Sequence, residues 1–570
     1  MLRWLISDAG QGAPSGQDFP GVGSLAAKIL AHRGVSGAEA IRRFLRPSLD
    51  DLHDPLAFED MAPAVARLRQ AIAAGENILI YGDYDVDGVT SVVLLTKAIE
   101  LAGGRAAYHV PDRLRDGYGM KTEVVEAAAQ AGTRLIVSVD TGIRAAEVVR
   151  RAAELGIDVI VTDHHLPETA LPPALAVINP NLPDCRYPEK NLCGAGVAFK
   201  LAQALLATVG WPPEKRRRMA ESLLKLVAIA TVADVVPLTG ENRVMVRHGL
   251  DGLRDARNPG LRALLAVAGF ANGAPGPSAR QVAYQIAPRL NAAGRMETAR
   301  DAIELFLTAD AERARELAAH LQQRNLERRQ VEDEIRENCE RTAVDDSAAA
   351  LVYYADDWHR GVLGIVAGRL VERLHRPVFV LSRNPEDGLA QGSGRSIPAF
   401  HLLEALESMP DLFVRFGGHR HAAGVTLKAA RVPEFRERFN AFAAARLQPE
   451  DLVPCLEIDA VIDLSELTEA GIEGLFALAP FGHGNPLPLL AALDVEVAAP
   501  PRVLKEKHLR IMVRQNRRTL VLKAWNFAPR IAEFQPGARI DIAFAIEEDA
   551  YAAARGNPAW AAILRDARVR

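Results

Sequence analysis

From about residue 75 the chain alternates short apolar runs with longer amphipathic ones. "NILIYGD" precedes "TSVVLLTKAIELAG", "RLIVSVD" precedes "RAAEVVRRAAELG", and "DVIVTDHH" and "LAVINPN" follow. Unbroken β-branched runs between segments of helical period predict a parallel sheet buried on both faces. A more helical region is expected from about 194 to 307. Residues 308–344 are charged and almost free of Gly and Pro, which predicts one long exposed helix joining two lobes. A second α/β unit begins at "AALVYYADDW". Further on, "HLRIMVRQNRRTLVLKAW" alternates apolar and polar residues about a polar turn, the pattern of a β-hairpin in a small barrel or sandwich. The expected divisions are a helical preface over 1–60, an α/β domain over 61–307, the connector over 308–344, a second α/β domain over 345–447 and a β domain over 448–570.

Composition changes this picture little. At 570 residues the chain is long enough for several cores, and 49% apolar with 25% charged residues is ordinary for a globular protein. The formal net charge of −4 leaves room for a local basic channel. Cys185, Cys193, Cys339 and Cys455 are scattered without C-x-x-C spacing, so no disulfide framework or zinc ribbon is implied. The apolar run in "MLRWLISDAG" is short for a signal peptide and is interrupted by Asp8. The stretch "LLKLVAIATVADVVPL" carries Lys225 and Asp234, against a membrane span. A cytoplasmic protein is expected.

The chemistry gathers where the first strands end. "YGDYDVDGVTS" places Asp83, Asp85 and Asp87 within five residues, and the next two strands end in Asp140 and in Asp163, His164 and His165. In open parallel sheets the ligand crevice lies outside the carboxyl ends of the strands. Asp234 closes an apolar helical run. An aspartate at one strand end alone reads as a helix N-cap. Together these groups predict a site for two divalent cations, and carboxylates mixed with imidazole suit Mn²⁺ better than Ca²⁺. Farther along, "QGSGRS" and "RFGGHRHAAG" combine close-approach glycines with Arg395 and His419 and suit a phosphate cradle or plain Gly turns. Residues 502–523 hold eight Lys/Arg, from Arg502 to Lys523, with Trp525 and Phe527 following, a pattern for tracking and stacking single-stranded nucleic acid.

"GDYDVDG", "SVDTGI", "VTDHHLP" and "ATVADVVPL" resemble the four motifs of the DHH phosphoesterase superfamily. With "VPDRLRDGYGM", "IAPRLNAAGRM", "WHRGVLGIVAGRL", "GSGRS", "FGGHRHAAG" and "PFGHGNPLP" in that order, the chain resembles the RecJ family of single-stranded-DNA-specific exonucleases over nearly its whole length. The resemblance implies an α/β fold. A parallel-sheet DHH domain and a DHH-associated domain would be joined by the long helix, with an OB-like barrel at the C-terminus. It implies two Mn²⁺ or Mg²⁺ ions on Asp83, Asp85, Asp87, Asp140, His164 and Asp234, with Asp140 bridging. His165, Asp85 and Asp140 would form the catalytic set. Arg113, Ser393, Gly394, Arg395 and His419 would hold the strand and its 5′-phosphate. Arg289 fits either contact with the strand near the metals or a structural ion pair. The implied activity is 5′→3′ hydrolysis of single-stranded DNA to 5′-mononucleotides in recombination and repair, by a monomer working beside a helicase and a single-strand-binding protein. Two alternatives are a hydrolase of oligoribonucleotides, cyclic dinucleotides or pyrophosphate, and a DNA-binding scaffold without catalysis.

Overall fold

The structure is a computed structural model, and it describes residues 2–6, 23–113, 115–270, 276–342, 347–384, 387–553, 555–556 and 558–570. Residues 7–22 of the expected preface, and the last two residues of the expected connector, lie outside the described residues. The chain forms two compact units, one of residues 49–452 and one of residues 1–48 with 453–570.

The larger unit opens with five parallel strands: β1 (Asn77–Tyr81), β2 (Ala106–His109), β3 (Thr133–Val139), β4 (Asp158–Thr162) and β5 (Ala176–Ile178). Their spatial order is β2-β1-β3-β4-β5. Successive side chains feed opposite cores, which explains the unbroken apolar runs. Ile78, Ile80, Leu135 and Val137 pack on one face, and Leu79, Tyr81, Ile136 and Val161 on the other. The strand order reverses direction at β1, the topological switch point beside which such sheets bind ligands. Helices α1 (Val86–Leu101), α2 (Gly194–Ala207) and α3 (Pro213–Ala233) cover the first face, and α4 (Ala287–Met296) follows a π-helical turn at Val282–Ile286.

Helix α5 (Ala311–Arg341) is the expected connector. It leads to a mixed sheet of β6 (Leu351–Ala355), β7 (Val378–Arg383), β8 (Leu389–Arg395), β9 (Phe413–Gly418) and β10 (Ala422–Lys428) in the order β9-β10-β8-β7-β6. Helix α6 (Leu363–Leu374) packs on β7 and β8 through Val366, Ala367 and Leu370.

In the smaller unit, β11 (Leu489–Leu504), β12 (His508–Gln515), β13 (Arg518–Ala524), β14 (Arg539–Glu548) and β15 (Trp560–Val569) close into a barrel, because β11 pairs with both β12 and β14. Arg3–Ile6 was expected within a helical preface. It is instead a strand paired in parallel with Cys455–Ile458, and Trp4 fills a small core with Ile458, Ala491 and Ala543. No helix among the described residues is long and apolar enough to cross a membrane.

Candidate metal centre and phosphate cradle

The turn after β1 delivers the three aspartates to different tasks. Asp85 caps α1, its Oδ1 accepting from the N–H groups of Asp87 (2.9 Å) and Gly88 (3.1 Å). Gly88 is required, since a Cβ there would lie 2.5 Å from the Asp83 carbonyl oxygen. Asp87 turns into the first turn of α2, accepting from Gly194 N (2.6 Å) and Ala195 N (2.7 Å). Asp140 sits past β3 with φ +58°, a left-handed conformation costly for a residue with a side chain. A Cβ on Gly194 would collide with the Asp140 carboxylate at 2.7 Å, so this glycine exists to admit it.

These carboxylates converge on His164. Its Nε2 lies 3.2 Å from Asp140 Oδ1 and 3.8 Å from Asp87 Oδ2, and its Nδ1 lies 3.8 Å from Asp234 Oδ2. Three overlapping sets of donors lie closely enough to share an ion: Asp83, Asp85 and Asp140; Asp87, His164 and Asp234; and Asp140, His164 and His165. Asp140 joins the sets, being in the first and approaching His164 of the second. Burial, then repulsion from neighbouring carboxylates, pushes Asp140 and Asp83 far above the usual carboxylate range and Asp234 up to about 9. Asp83 Oδ1 and Asp140 Oδ1 are buried without a hydrogen-bond donor, the His164 approach lacking hydrogen-bond geometry. Burial also lowers His164, leaving the imidazole neutral. Repelling, donor-poor carboxylates around a neutral imidazole fit a pair of divalent cations.

Asp163 stands apart from the ligands with which the sequence grouped it. Its Oδ1 accepts from His164 N (2.7 Å) and His165 N (3.0 Å) and meets His165 Nδ1 at 2.7 Å, while Oδ2 accepts from Ile143 N (3.0 Å). Burial opposes the charge on His165, but the Asp163 hydrogen bond together with the charges of Asp163, Asp87 and Asp85 outweighs it, and the imidazole is raised. Tyr118 Oη adds a contact to His165 Nδ1 at 3.2 Å.

A cationic cradle adjoins the cluster. Arg113 lies 5.0 Å over the Tyr84 ring and feels Asp83. Arg395 is lowered by burial and then by Arg113. Ser393 and Arg395 face the start of α6, where a Cβ on Gly364 would lie 3.1 Å from Arg395 Nη2. Gly394 packs its backbone on the Phe379 ring. His419 is lowered by burial and then by the nearby Arg144 and His165. Among the described residues Arg289 has other partners. Its guanidinium donates to the carbonyls of Gln285 and Val267, with Arg329 near, so it neither forms an ion pair nor joins the cradle. Arg295, six residues on, takes that place. Burial, then Arg113 and Arg328, pull it down to about 9, and its Nη1 donates to Gly361 O at 3.1 Å. Asn291 on the same helix was also missed: its Oδ1 accepts from Val86 N at 3.1 Å and braces the aspartate turn.

On the barrel, Arg502, Lys505, Lys507 and Arg510 are exposed on β11, β12 and their turn. Arg514 and Lys523 are paired with Glu496 and Asp549, and Arg518 donates to Leu467 O. Trp525 is 48% exposed, edge-on to His508. Phe527 departs from expectation, packing on Phe534 against the barrel core.

Comparison with known proteins gives three domain matches: the DHH family N-terminal domain over 77–231, the DHHA1 domain over 347–445 and the RecJ OB domain over 458–557. The chain is 41% identical over 510 residues to the single-stranded-DNA-specific exonuclease RecJ of Dickeya dadantii, covering 86% of each chain. It is 39% identical over 523 residues to the protein of that name from Bacillus subtilis, covering 91% of this chain and 65% of the relative, so it spans just under two thirds of that longer protein. The crystal structure of RecJ in complex with Mn²⁺ from Thermus thermophilus superposes with a TM-score of 0.83 at 31% identity, covering 99% of this chain and 79% of the other.

Proposed function

The chain belongs to the RecJ family, and we propose that it is a metal-dependent exonuclease that degrades single-stranded DNA from the 5′ end to 5′-mononucleotides. The observation that carries this reading is the meeting of a two-cation donor set with a cradle of three arginines in the larger unit.

Asp83, Asp85 and Asp140 would hold one ion and Asp87, His164 and Asp234 the other, with Asp140 shared. Bound there, Mn²⁺ or Mg²⁺ supplies Lewis acidity, making water nucleophilic at neutral pH and offsetting charge on the phosphodiester. Gly194 and the left-handed backbone of Asp140 aim the shared carboxylate. Asp163 fixes His165 by its Nδ1 side, leaving Nε2 to face the phosphate, and raises the imidazole so that it carries a proton to the departing 3′ oxygen. Arg113, Arg295 and Arg395 repel one another and, among the described residues, none of them forms an ion pair with a carboxylate, so an anion is favoured among them. With Ser393 and the start of α6 they would seat the 5′-phosphate one nucleotide from the cations and set the polarity. His419 would close on the strand from the second lobe.

The exposed cations and Trp525 of the barrel support a second contact to single-stranded DNA. A hydrolase of dinucleotides has no use for that surface, which disfavours the small-substrate reading. Membership of the family supports a role in recombination and repair, as a cytoplasmic monomer on strands opened by a helicase and covered by a single-strand-binding protein. The test is single-stranded DNA labelled at either end, with Mn²⁺. Early release of 5′-labelled mononucleotide, lost with chelator and in Asp140→Ala, supports the reading; release from the 3′ end, or none, overturns it.

A further inference from the structure

A second cleft lies outside both the cation cluster and the arginine cradle. It measures about 270 Å³ and is walled by Tyr353, Tyr354 and Trp358, with Asn338, Asp357 and Arg436 around it. It runs along β6, which is an edge strand because it pairs only with β7. The Arg436 Nε donates to Val352 O at 3.0 Å, which fixes the guanidinium at the edge and commits only one of its N–H groups. Tyr353 is buried, whereas Tyr354 and Trp358 are half-buried and packed at their inner sides on separate cores.

Aromatic faces, a carboxamide, a carboxylate and a guanidinium in so small a space select a particular ligand. The half-buried rings of Tyr354 and Trp358 offer stacking to a planar heterocycle, and Asn338 and Asp357 offer a donor and acceptors to its edge. Arg436 offers an anion contact. The volume is below that of drug-sized pockets and suits a single base. We propose that this cleft binds a nucleobase with its phosphate, supplied either as a free nucleoside 5′-monophosphate or as a unit of the DNA strand. The choice of those two sources rests on the exonuclease reading; the cleft's chemistry does not.

The cleft is wired to the phosphate cradle through one short loop. Trp358 is followed by His359, whose Nδ1 accepts from Gly361 N at 3.2 Å, and Gly361 O is the acceptor that holds Arg295. Arg360 between them donates to Gln391 Oε1 at 2.7 Å, on the strand that carries Ser393 and Arg395. Occupancy of the cleft therefore fixes the loop on which the cradle leans.

The test is isothermal titration of the full chain, in EDTA, with deoxyadenosine 5′-monophosphate and separately with a 5′-hydroxyl oligodeoxyadenylate. In the Arg395→Gln background, which removes the cradle's own hold on a 5′-phosphate, Trp358→Leu and the exposed-site variant Arg436→Gln are each expected to weaken binding about tenfold. Losses confined to the mononucleotide identify free nucleotide as the ligand; losses confined to the oligonucleotide identify the strand. Absence of binding by the Arg395→Gln chain, or binding there that neither variant weakens, overturns the proposal. Nuclease assays of the same preparations with Mn²⁺ separate the two readings, since nucleotide binding in the cleft without DNA degradation would sink only the exonuclease.

Discussion

Asp163 Oδ1 meets His165 Nδ1 at 2.7 Å while accepting two backbone N–H groups, so the carboxylate is fully occupied in aiming one imidazole. It orients and does not ligate. Asp163→Asn removes the charge that raises His165 and the acceptor that fixes its ring. Turnover should fall about 10²–10⁴-fold, with Mn²⁺ stoichiometry by equilibrium dialysis unchanged. Loss of metal instead would place Asp163 in the ligand shell.

The Asp140 carboxylate is buried among Asp87, Asp85 and Asp83, which makes the metal-free protein strained. Asp140→Asn should abolish activity yet raise metal-free stability in urea by about 0.5–2 kcal/mol. Burial, and then the same repulsion, holds protons on the cluster, Asp234 up to about 9, so cation binding must release them. Mn²⁺ affinity should therefore rise with pH across the neutral range. An affinity flat in pH would contradict the crowded cluster.

Much of the site was legible because ligand positions at the ends of parallel strands follow from topology. Asp83, Asp140 and His164 are each within a few residues of a strand that apolar runs announce. The Asp140 backbone conformation was not legible, because nothing local distinguishes it from an ordinary strand end until Gly194 is brought against it. Arg295 was not singled out, for a helical reason. From Arg289, six residues put the two side chains about 120° apart on α4, and the π-helical turn at Val282–Ile286 shifts the phase from which a face would be read. The pairing of Arg3–Ile6 with Cys455–Ile458 carries no local signal across so long a separation in sequence.

Arg395 and Arg113 should matter most when the strand carries a terminal phosphate. Arg395→Gln is expected to lower kcat/KM on 5′-phosphorylated DNA about 10- to 100-fold and to leave 5′-hydroxyl DNA little changed. An equal loss on both substrates would assign the arginine to the strand interior.

Lys200 and Glu241 form an ion pair buried from solvent, in which Glu241 also accepts from Tyr187 Oη (2.6 Å) and His53 N (2.9 Å), and Lys200 donates to His53 O (2.9 Å). Lys200→Met leaves a buried carboxylate without its cation and should cost about 3–5 kcal/mol of the larger unit's stability. Adding Glu241→Gln should recover part of that loss. Recovery of none would mean the pair is not the unit of stability here.

The division of the aspartates between two cations is tested most directly by anomalous diffraction from crystals soaked in Mn²⁺. Two peaks are expected about 3.5–4 Å apart, one against Asp83 and Asp85, the other against Asp87, His164 and Asp234, with Asp140 touching both. A single peak, or an Asp140 carboxylate that touches neither, would contradict the account.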